Sequence, residues 1–320
     1  MRTYIIRRLL LMIPTFIFLT LLVFTFIRLM PGNVIELMVL QHSHEQAGEM
    51  NVDVNAIRHM IGLDKPVWKQ YVDWAGGLLH GDMGKSLWTQ QSVTANVARK
   101  IPITFELGFF AFVIAQLVAF PIGILSAIRQ DSIGDYVARS FSIIAVAVPT
   151  FWIATMVFVF PPIWWGWSPP ERYIPITENF WLNIQQFIIP AAIMGFGMSG
   201  LTVRMLRTTM LDVLRQDYVR TAWSKGLRER VVLTRHVLKN AAIPVVTIIS
   251  GQVPVMIGGA VIIEQIFSLP GMGRLFVDSV LTRDYPYITG MNALFAAIGL
   301  ITILITDLSY AWLDPRVRYR

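Results

Sequence analysis

The sequence predicts an all-α polytopic membrane protein with six transmembrane helices and both termini on the cytoplasmic side. Three observations carry that prediction. Hydrophobic residues fill 55% of the 320 positions and charged ones only 15%, with a mean hydropathy of +0.57; ordinary soluble domains carry about 25% charged residues. The apolar mass falls in separate blocks of membrane-spanning length, about 20 residues each. Lys and Arg collect in the flanks that an even number of crossings places on one side.

The first span runs from about Leu9 to Leu29 and the second from about Ile103 to Ala127. The third covers about Ser140 to Trp164, the fourth Phe187 to Met205, the fifth Ile243 to Phe267 and the sixth Ile288 to Trp312. Pro14, Pro121, Pro149, Pro190 and Pro254 fall in or near these segments. Spanning helices tolerate proline where neighbouring groups satisfy the freed backbone. The first apolar run is too long for a cleavable signal peptide, and Pro31-Gly32 does not resemble a small-x-small cleavage site. It reads as a retained anchor.

Three regions must share a side if there are six spans: the N-terminal flank (Arg2, Arg7, Arg8), the segment between the fourth and fifth spans, and the C-terminal flank (Arg316, Arg318, Arg320). The middle segment carries Arg207, Arg215, Arg220, Lys225, Arg228, Arg230, Arg235 and Lys239 against Asp212, Asp217 and Glu229. All three are basic, which marks the cytoplasm. The net charge of +7 therefore reports topology, and no nucleic-acid partner is expected.

The chain divides into residues 1–29 (flank and first span), an outer loop region 30–101, and a core of five helices over 102–320 that includes the cytoplasmic loop 207–243. The outer loop is too long for a bare connection. Leu63, Val67, Tyr71 and Trp74 recur in it at helical spacing, so part of it is expected to fold as an amphipathic helix over the membrane face.

No cysteine is present, which excludes disulfides, iron–sulfur ligation and thiol catalysis. Gly84-Lys85-Ser86 invites a phosphate-loop reading, but the required glycine five positions before Gly84 is Leu79. The segment also lies outside, away from ATP. His42, His44, Glu45 and Glu49 suggest a weak metal site, although a solvated polar loop accounts for them and no metal ligands are assigned. Trp164, Trp165 and Trp167 fit an interfacial aromatic belt. No histidine falls in a predicted span, so an intramembrane enzyme lacks its constellation and no catalytic residue is assigned.

The cytoplasmic loop is the informative segment. Ala222 and Gly226 are four apart and share one face of a helix, a notch of small residues. Leu227, Val231 and Leu238 form an apolar stripe, while Arg228, Arg235 and Lys239 fall on another face. Such a helix suits docking into a groove on a soluble partner, and it equally suits a basic helix on anionic headgroups.

The stretch Asp217-Tyr218-Val219-Arg220-Thr221-Ala222, then Lys225-Gly226-Leu227, then Arg235-His236, Leu238, Asn240-Ala241 and Pro244, resembles the EAA loop of ABC-transporter permeases. The form is that of the dipeptide/oligopeptide/nickel importers, with Arg220-Thr221-Ala222 in place of the general Glu-Ala-Ala and a late closing proline. Tyr4-Ile5-Ile6-Arg7-Arg8-Leu9, Leu29-Met30-Pro31-Gly32, Gly62-Leu63-Asp64-Lys65-Pro66, Gly81-Asp82-Met83-Gly84-Lys85-Ser86 and Glu264-Gln265-Ile266-Phe267-Ser268-Leu269-Pro270-Gly271-Met272-Gly273 resemble further signatures of the B-type permease in such a pair. Gly32-Asn33 departs from the commoner Gly-Asp.

The resemblance implies a type I importer permease fold in a bacterial inner membrane, with a peptide as the first substrate to consider and nickel chelates or opines as others. It implies four kinds of partner: membrane lipid, a second homologous permease (C-type), two ATPase subunits that use the ATP, and a periplasmic or lipid-anchored binding protein. The chain itself then binds no cofactor. Coupling to the ATPases falls on Arg220, Thr221, Ala222, Lys225, Gly226, Leu227, Arg228, Arg230, Val231, Arg235, His236, Leu238 and Asn240. Glu264 and Asp307 are candidates for the translocation pathway, with structural hydrogen bonding as the competing role; Glu106 is a further span acid. An ion-coupled secondary transporter acting alone is the alternative, and it leaves the specific cytoplasmic loop unexplained.

Overall fold

A computed structural model describes residues 2–29, 64–170 and 172–313. Every regular element among them is helical, apart from one isolated antiparallel bridge between Lys85 and Ser92. Among the described residues five helices are long and apolar enough to cross a membrane alone, and counting one bent pair as a single span gives six. The chain forms two compact units, Met1–Ile101 with Leu275–Leu300, and Pro102–Arg274 with Ile301–Arg320.

In the first unit, α1 (Arg2–Leu29) carries polar side chains that bond inward. Thr15, Thr20 and Thr25 each donate a hydroxyl to the carbonyl four residues earlier, as a lipid-facing helix requires. The expected amphipathic helix is present as α2 (Val67–Leu79), starting after Pro66. Tyr71 and Trp74 pack their rings on Phe24 at 5.4 and 5.8 Å, and the Tyr71 hydroxyl meets Thr20 Oγ1 at 3.0 Å. Leu63, the first residue of that pattern, lies outside the described residues.

After α2 the chain turns through Gly81 and Gly84, both at positive φ, into the segment that mimics a phosphate loop. Its backbone donors point inward. Ser86 Oγ accepts from Trp88 and Thr89 N–H and donates to Asp284 Oδ2 at 2.6 Å, while Leu87 N–H reaches Asp284 Oδ1 at 3.1 Å. Asp284 sits between α10 (Met272–Leu281) and α11 (Tyr285–Leu313). The Gly-Lys-Ser segment is therefore a fold lock built on one buried carboxylate.

The second unit takes up α3 (Val93–Ile128) from Pro102. Leu107, Ala111, Ala115 and Ala119 recur every fourth residue and are all fully buried; the three alanines form a small-residue stripe of the kind that lets membrane helices approach closely. The sequence predicts one span over 140–164; the structure divides it into α4 (Ile133–Ala147) and α5 (Thr150–Trp165), bent by 91°. Pro149 is the reason. It has no N–H to continue the ladder, and it holds Val148 extended at φ −82°, ψ 121°. Next comes α6 (Phe180–Leu214), which packs so tightly on α4 that a Cβ at Gly200 would fall 2.8 Å from Ala145 Cβ and the Ser142 carbonyl.

Then follow α7 (Asp217–Ser224), the single turn α8 (Glu229–Val231), a π-helical stretch Val232–Leu238, and α9 (Lys239–Ile266). The chain leaving α9 folds back over its own end. Thr104 Oγ1 donates to Glu264 Oε1 at 2.5 Å, Arg274 N–H to Glu264 Oε2 at 3.0 Å, and Met272 N–H to Thr104 Oγ1 at 2.8 Å. A methyl group at Gly271 would overlap the Glu264 carboxylate. Glycine there lets the loop wrap a fully buried acid.

Burial holds the Asp284 carboxyl above its ordinary value of 3.8, against the pull of the Ser86 and Leu87 donors. The folded chain thus binds this proton more tightly than the unfolded chain. Its contribution to stability is full below pH 3.8 and declines as the pH rises through the raised native value. Asp284→Asn removes this component, so its melting temperature in detergent should fall less steeply than wild type over the weakly acidic range. Parallel curves for the two proteins would contradict the assignment.

Candidate coupling loop and translocation cleft

On α7, Val219 and Ala222 turn inward and join Ala127, Leu206, Met210, Val232 and Val237 in one hydrophobic cluster. The opposite face presents Tyr218, Arg220, Thr221 and Trp223 to the outside, followed by Lys225, Leu227, Arg228, Arg230 and Val231, all exposed. Arg235 and Asn240 are exposed as well, whereas His236 and Leu238 are half-buried. Asn240 Nδ2 donates to the Tyr218 hydroxyl at 3.0 Å, tying the far end of the loop to α7.

This arrangement corrects the expected notch. Ala222 and Gly226 do not share a helical face, because α7 stops at Ser224. Gly226 adopts φ +76° and its N–H bonds the Trp223 carbonyl at 2.9 Å, a left-handed helix stop that a Cβ would strain. Ala222 is buried and keeps α7 close to the bundle. The Leu227, Val231, Leu238 stripe also loses its register. The turn at Gly226 precedes it and the π-helical stretch, with its wider repeat, runs through it.

Beneath α7, one ion pair joins three helices at the cytoplasmic end. Arg207 of α6 grips Asp135 of α4 through Nε at 2.6 Å and Nη2 at 2.7 Å. Ser126 of α3 donates to Asp135 Oδ1 at 2.5 Å and Asp131 N–H to Oδ2 at 3.0 Å. Arg139 adds a longer contact at 3.4 Å. Sequence reading missed this cluster, having counted Arg207 only as a topological cation. The signal within reach was Ser132-Ile133-Gly134-Asp135, a helix-start pattern, whose Ser132 does cap α4. Nothing local links it to Arg207, 72 positions away.

A second feature opens at the α4–α5 bend. A cleft of about 530 Å³ lies between Pro149 and Thr150 on one side and Met194, Met198, Gly251 and Gln252 on the other. Its lining is mainly apolar. Gln252, the fourteenth of the 28 residues of α9, donates to the Met198 carbonyl at 2.9 Å and to Thr202 Oγ1 at 3.1 Å. Neither Glu264 nor Asp307 lines this cleft. Glu264 is enclosed in its loop, and Asp307 is half-buried in α11.

Glu106 is half-buried on α3. Trp164 and Trp165 are exposed at the end of α5, with Trp164 stacked on Phe160 at 4.7 Å. Among the described residues no group of three or more His, Cys, Asp or Glu is placed to hold a metal. His42, His44, Glu45 and Glu49 lie outside the described residues, as do Arg316, Arg318 and Arg320.

Two family models match the chain. Residues 119–319 match the inner membrane component of binding-protein-dependent transport systems, and residues 1–108 match the N-terminal region of the same membrane components. The chain belongs to this family. It is 34% identical over 346 aligned residues to the dipeptide transport system permease DppB of Escherichia coli K12, and 37% identical over 323 to the oligopeptide permease AppB of Bacillus subtilis 168, with complete coverage of each pair. A putative peptide transport permease of Brucella abortus is 34% identical over 319 residues.

Solved structures show the same fold over the core. A chain of an amino acid ABC transporter superposes with a TM-score of 0.53 at 16% identity, covering 68% of this chain and 94% of that one. A chain of the MetNI methionine ABC transporter gives 0.54 at 12%, covering 68% and 96%. The permease is therefore a multi-pass inner-membrane transport subunit, not an enzyme, and its core has the ABC importer permease fold.

Removing one partner of a buried ion pair costs about 3–5 kcal/mol, because the other charge stays behind unpaired. Asp135→Ala should accordingly lower the thermal stability of the purified permease far more than Asp212→Ala, which alters an exposed carboxylate. Equal losses in the two variants would show that the pair is not an anchor.

Proposed function

We propose that this permease forms half of the translocation pathway of an ATP-driven importer of small peptides, and that two ATPase subunits drive it through α7 and the turn after it. The observation that carries the proposal is the division of α7 into two faces. Val219 and Ala222 are seated in the bundle, while Tyr218, Trp223, Leu227 and Val231 stand exposed among cations. An apolar surface ringed by charge suits a protein groove. Because the inner face shares its cluster with α3, α6 and the start of the fifth crossing, a push on the outer face is delivered to the helices that line the cleft.

The other parts follow the same logic. A second homologous permease completes the pathway, and a binding protein delivers substrate to the outer side, where residues 30–101 form the receiving region and 102–320 the moving core. ATP is consumed by the partner subunits. Peptide is the favoured cargo because DppB and AppB are named for dipeptides and oligopeptides; the mainly apolar, methionine-rich cleft suits side chains of varied shape. Arg220, Lys225, Arg228, Arg230 and Arg235 supply charge for the ATPase surface. Asp307 is retained as a pathway residue for the inner stretch, and Glu264 is assigned to its loop.

Leu227→Asp tests the docking face. A charge there should weaken substrate-stimulated ATP hydrolysis by the assembled transporter at least about tenfold, as hot-spot losses of more than 1.4 kcal/mol do, while the permease melts as wild type does. Undiminished coupling would return α7 to the role of a basic helix on the membrane surface. Gly251→Phe tests the cleft. A Cβ there meets nothing within 4 Å, so the ring enters open space. Peptide uptake into proteoliposomes should fall severely with subunit assembly intact, and normal uptake would place the pathway elsewhere.

A further inference from the structure

We propose that the outer end of α1 and α2 form a binding site for the headgroup of one phospholipid, with Arg28 and Trp74 holding its phosphate. The site lies within the first unit and is independent of the peptide reading. A cavity of about 210 Å³ is lined by Arg28, Lys65, Gln70, Asp73, Trp74 and Tyr285, among others. The Arg28 guanidinium lies against two rings, 4.9 Å from the centroid of Phe24 and 5.1 Å from that of Tyr285. These cation–π contacts hold the guanidinium in place and leave its N–H groups to bind.

Two of the guanidinium nitrogens are unused. Arg28 Nε and Nη1 are buried and have no hydrogen-bond partner, and neither has the indole Nε1 of Trp74. Gln70 Oε1 is a buried acceptor in the same condition, while its Nε2 donates to the Lys65 carbonyl at 2.7 Å. Lys65 is paired with Asp73 at 2.7 Å, so the cavity's cation is Arg28. Unmet buried donors each cost about 1–3 kcal/mol, and three in one cavity call for a ligand rich in acceptor oxygens. A phosphodiester has that chemistry, and its charged oxygens take the strong, charge-assisted hydrogen bonds that guanidinium nitrogens give. The lone acceptor asks for a donor on the same ligand, which the ammonium of ethanolamine or a hydroxyl of glycerol provides.

The setting selects lipid over a soluble anion. Phe18, Leu21, Phe26 and Leu29 of α1 are exposed, so the helix beside the cavity faces acyl chains. On α2, Trp68 and Val72 are also exposed, the apolar face of a helix lying in the interface. Tyr71 reaches down to Thr20, eight residues before Arg28 and so about 12 Å along the axis. The guanidinium thus stands at headgroup level above a hydrocarbon-facing wall.

The test uses the full-length permease, delipidated in mild detergent, then titrated with phosphatidylglycerol or phosphatidylethanolamine and followed by native mass spectrometry and thermal melting. Trp74→Phe keeps an aromatic ring against Phe24 and Tyr71 and removes the indole N–H; Arg28→Lys keeps the charge and removes the fork. Wild type should hold one phospholipid per chain and melt higher when either lipid is added. Both variants should bind about tenfold or more weakly, the loss of one charge-assisted or buried hydrogen bond. Equal lipid retention by wild type and both variants would overturn the proposal. So would a melting shift produced as well by inorganic phosphate as by lipid, since the site would then take a soluble anion.

Discussion

The bidentate pair between Arg207 and Asp135 is the interaction around which the cytoplasmic end of this permease is built. Asp135 is fully buried, and a lone carboxylate there would be prohibitively costly. The cost is offset because each oxygen is used: one meets Arg207 Nε and Ser126, the other Arg207 Nη2 and Asp131 N–H. The three helices contributing these groups cannot slide independently without leaving a buried charge unpaired. The hydrophobic cluster holding α7 includes residues of two of them, Ala127 on α3 and Leu206 and Met210 on α6. A firm seat beneath a surface helix is the condition for passing force inward.

Buried acids serve a related purpose elsewhere in each unit. Glu264 gathers the chain after α9 by accepting from Thr104 and Arg274 N–H. Asp284 gathers the turn before α11 by accepting from Ser86 and Leu87 N–H. In both places a carboxylate substitutes for regular secondary structure, since an irregular segment near a membrane must find partners for its backbone donors within the protein. An acid in or beside a span of this protein is in these cases a fold element, and the cleft is lined by uncharged residues instead, apolar side chains with two threonines and one glutamine.

The bend at Pro149 shapes the cleft. A straight helix over 140–164 would offer only side chains to the bundle interior. Breaking it by 91° produces a concavity facing α6 and α9, and Pro149 and Thr150 form part of its wall. The same residues that interrupt the ladder thus wall the cleft, and the neighbouring Gly200 contact keeps α4 firmly against α6.

Much of this protein was legible in its sequence, because lipid imposes a one-dimensional rule: about 20 apolar residues per crossing, with cations inside. The apolar blocks that become the long helices, the α2 helix from Val67, Tyr71 and Trp74, and membership of the importer family all followed from runs, spacings and motif residues read in order. What the tertiary structure decided depends on partners distant in the chain. Asp135 with Arg207, Ser86 with Asp284 and Arg28 with Tyr285 are separated by 72, 198 and 257 positions, and no local pattern records such meetings. Local geometry also overrode periodicity at Gly226, where a left-handed residue ended the helix that the spacing of Ala222 extends, and through Val232–Leu238, where a wider helical repeat shifted every face. The hydrophobic pattern sets which segments enter the membrane; packing sets which way each side chain turns once they are there.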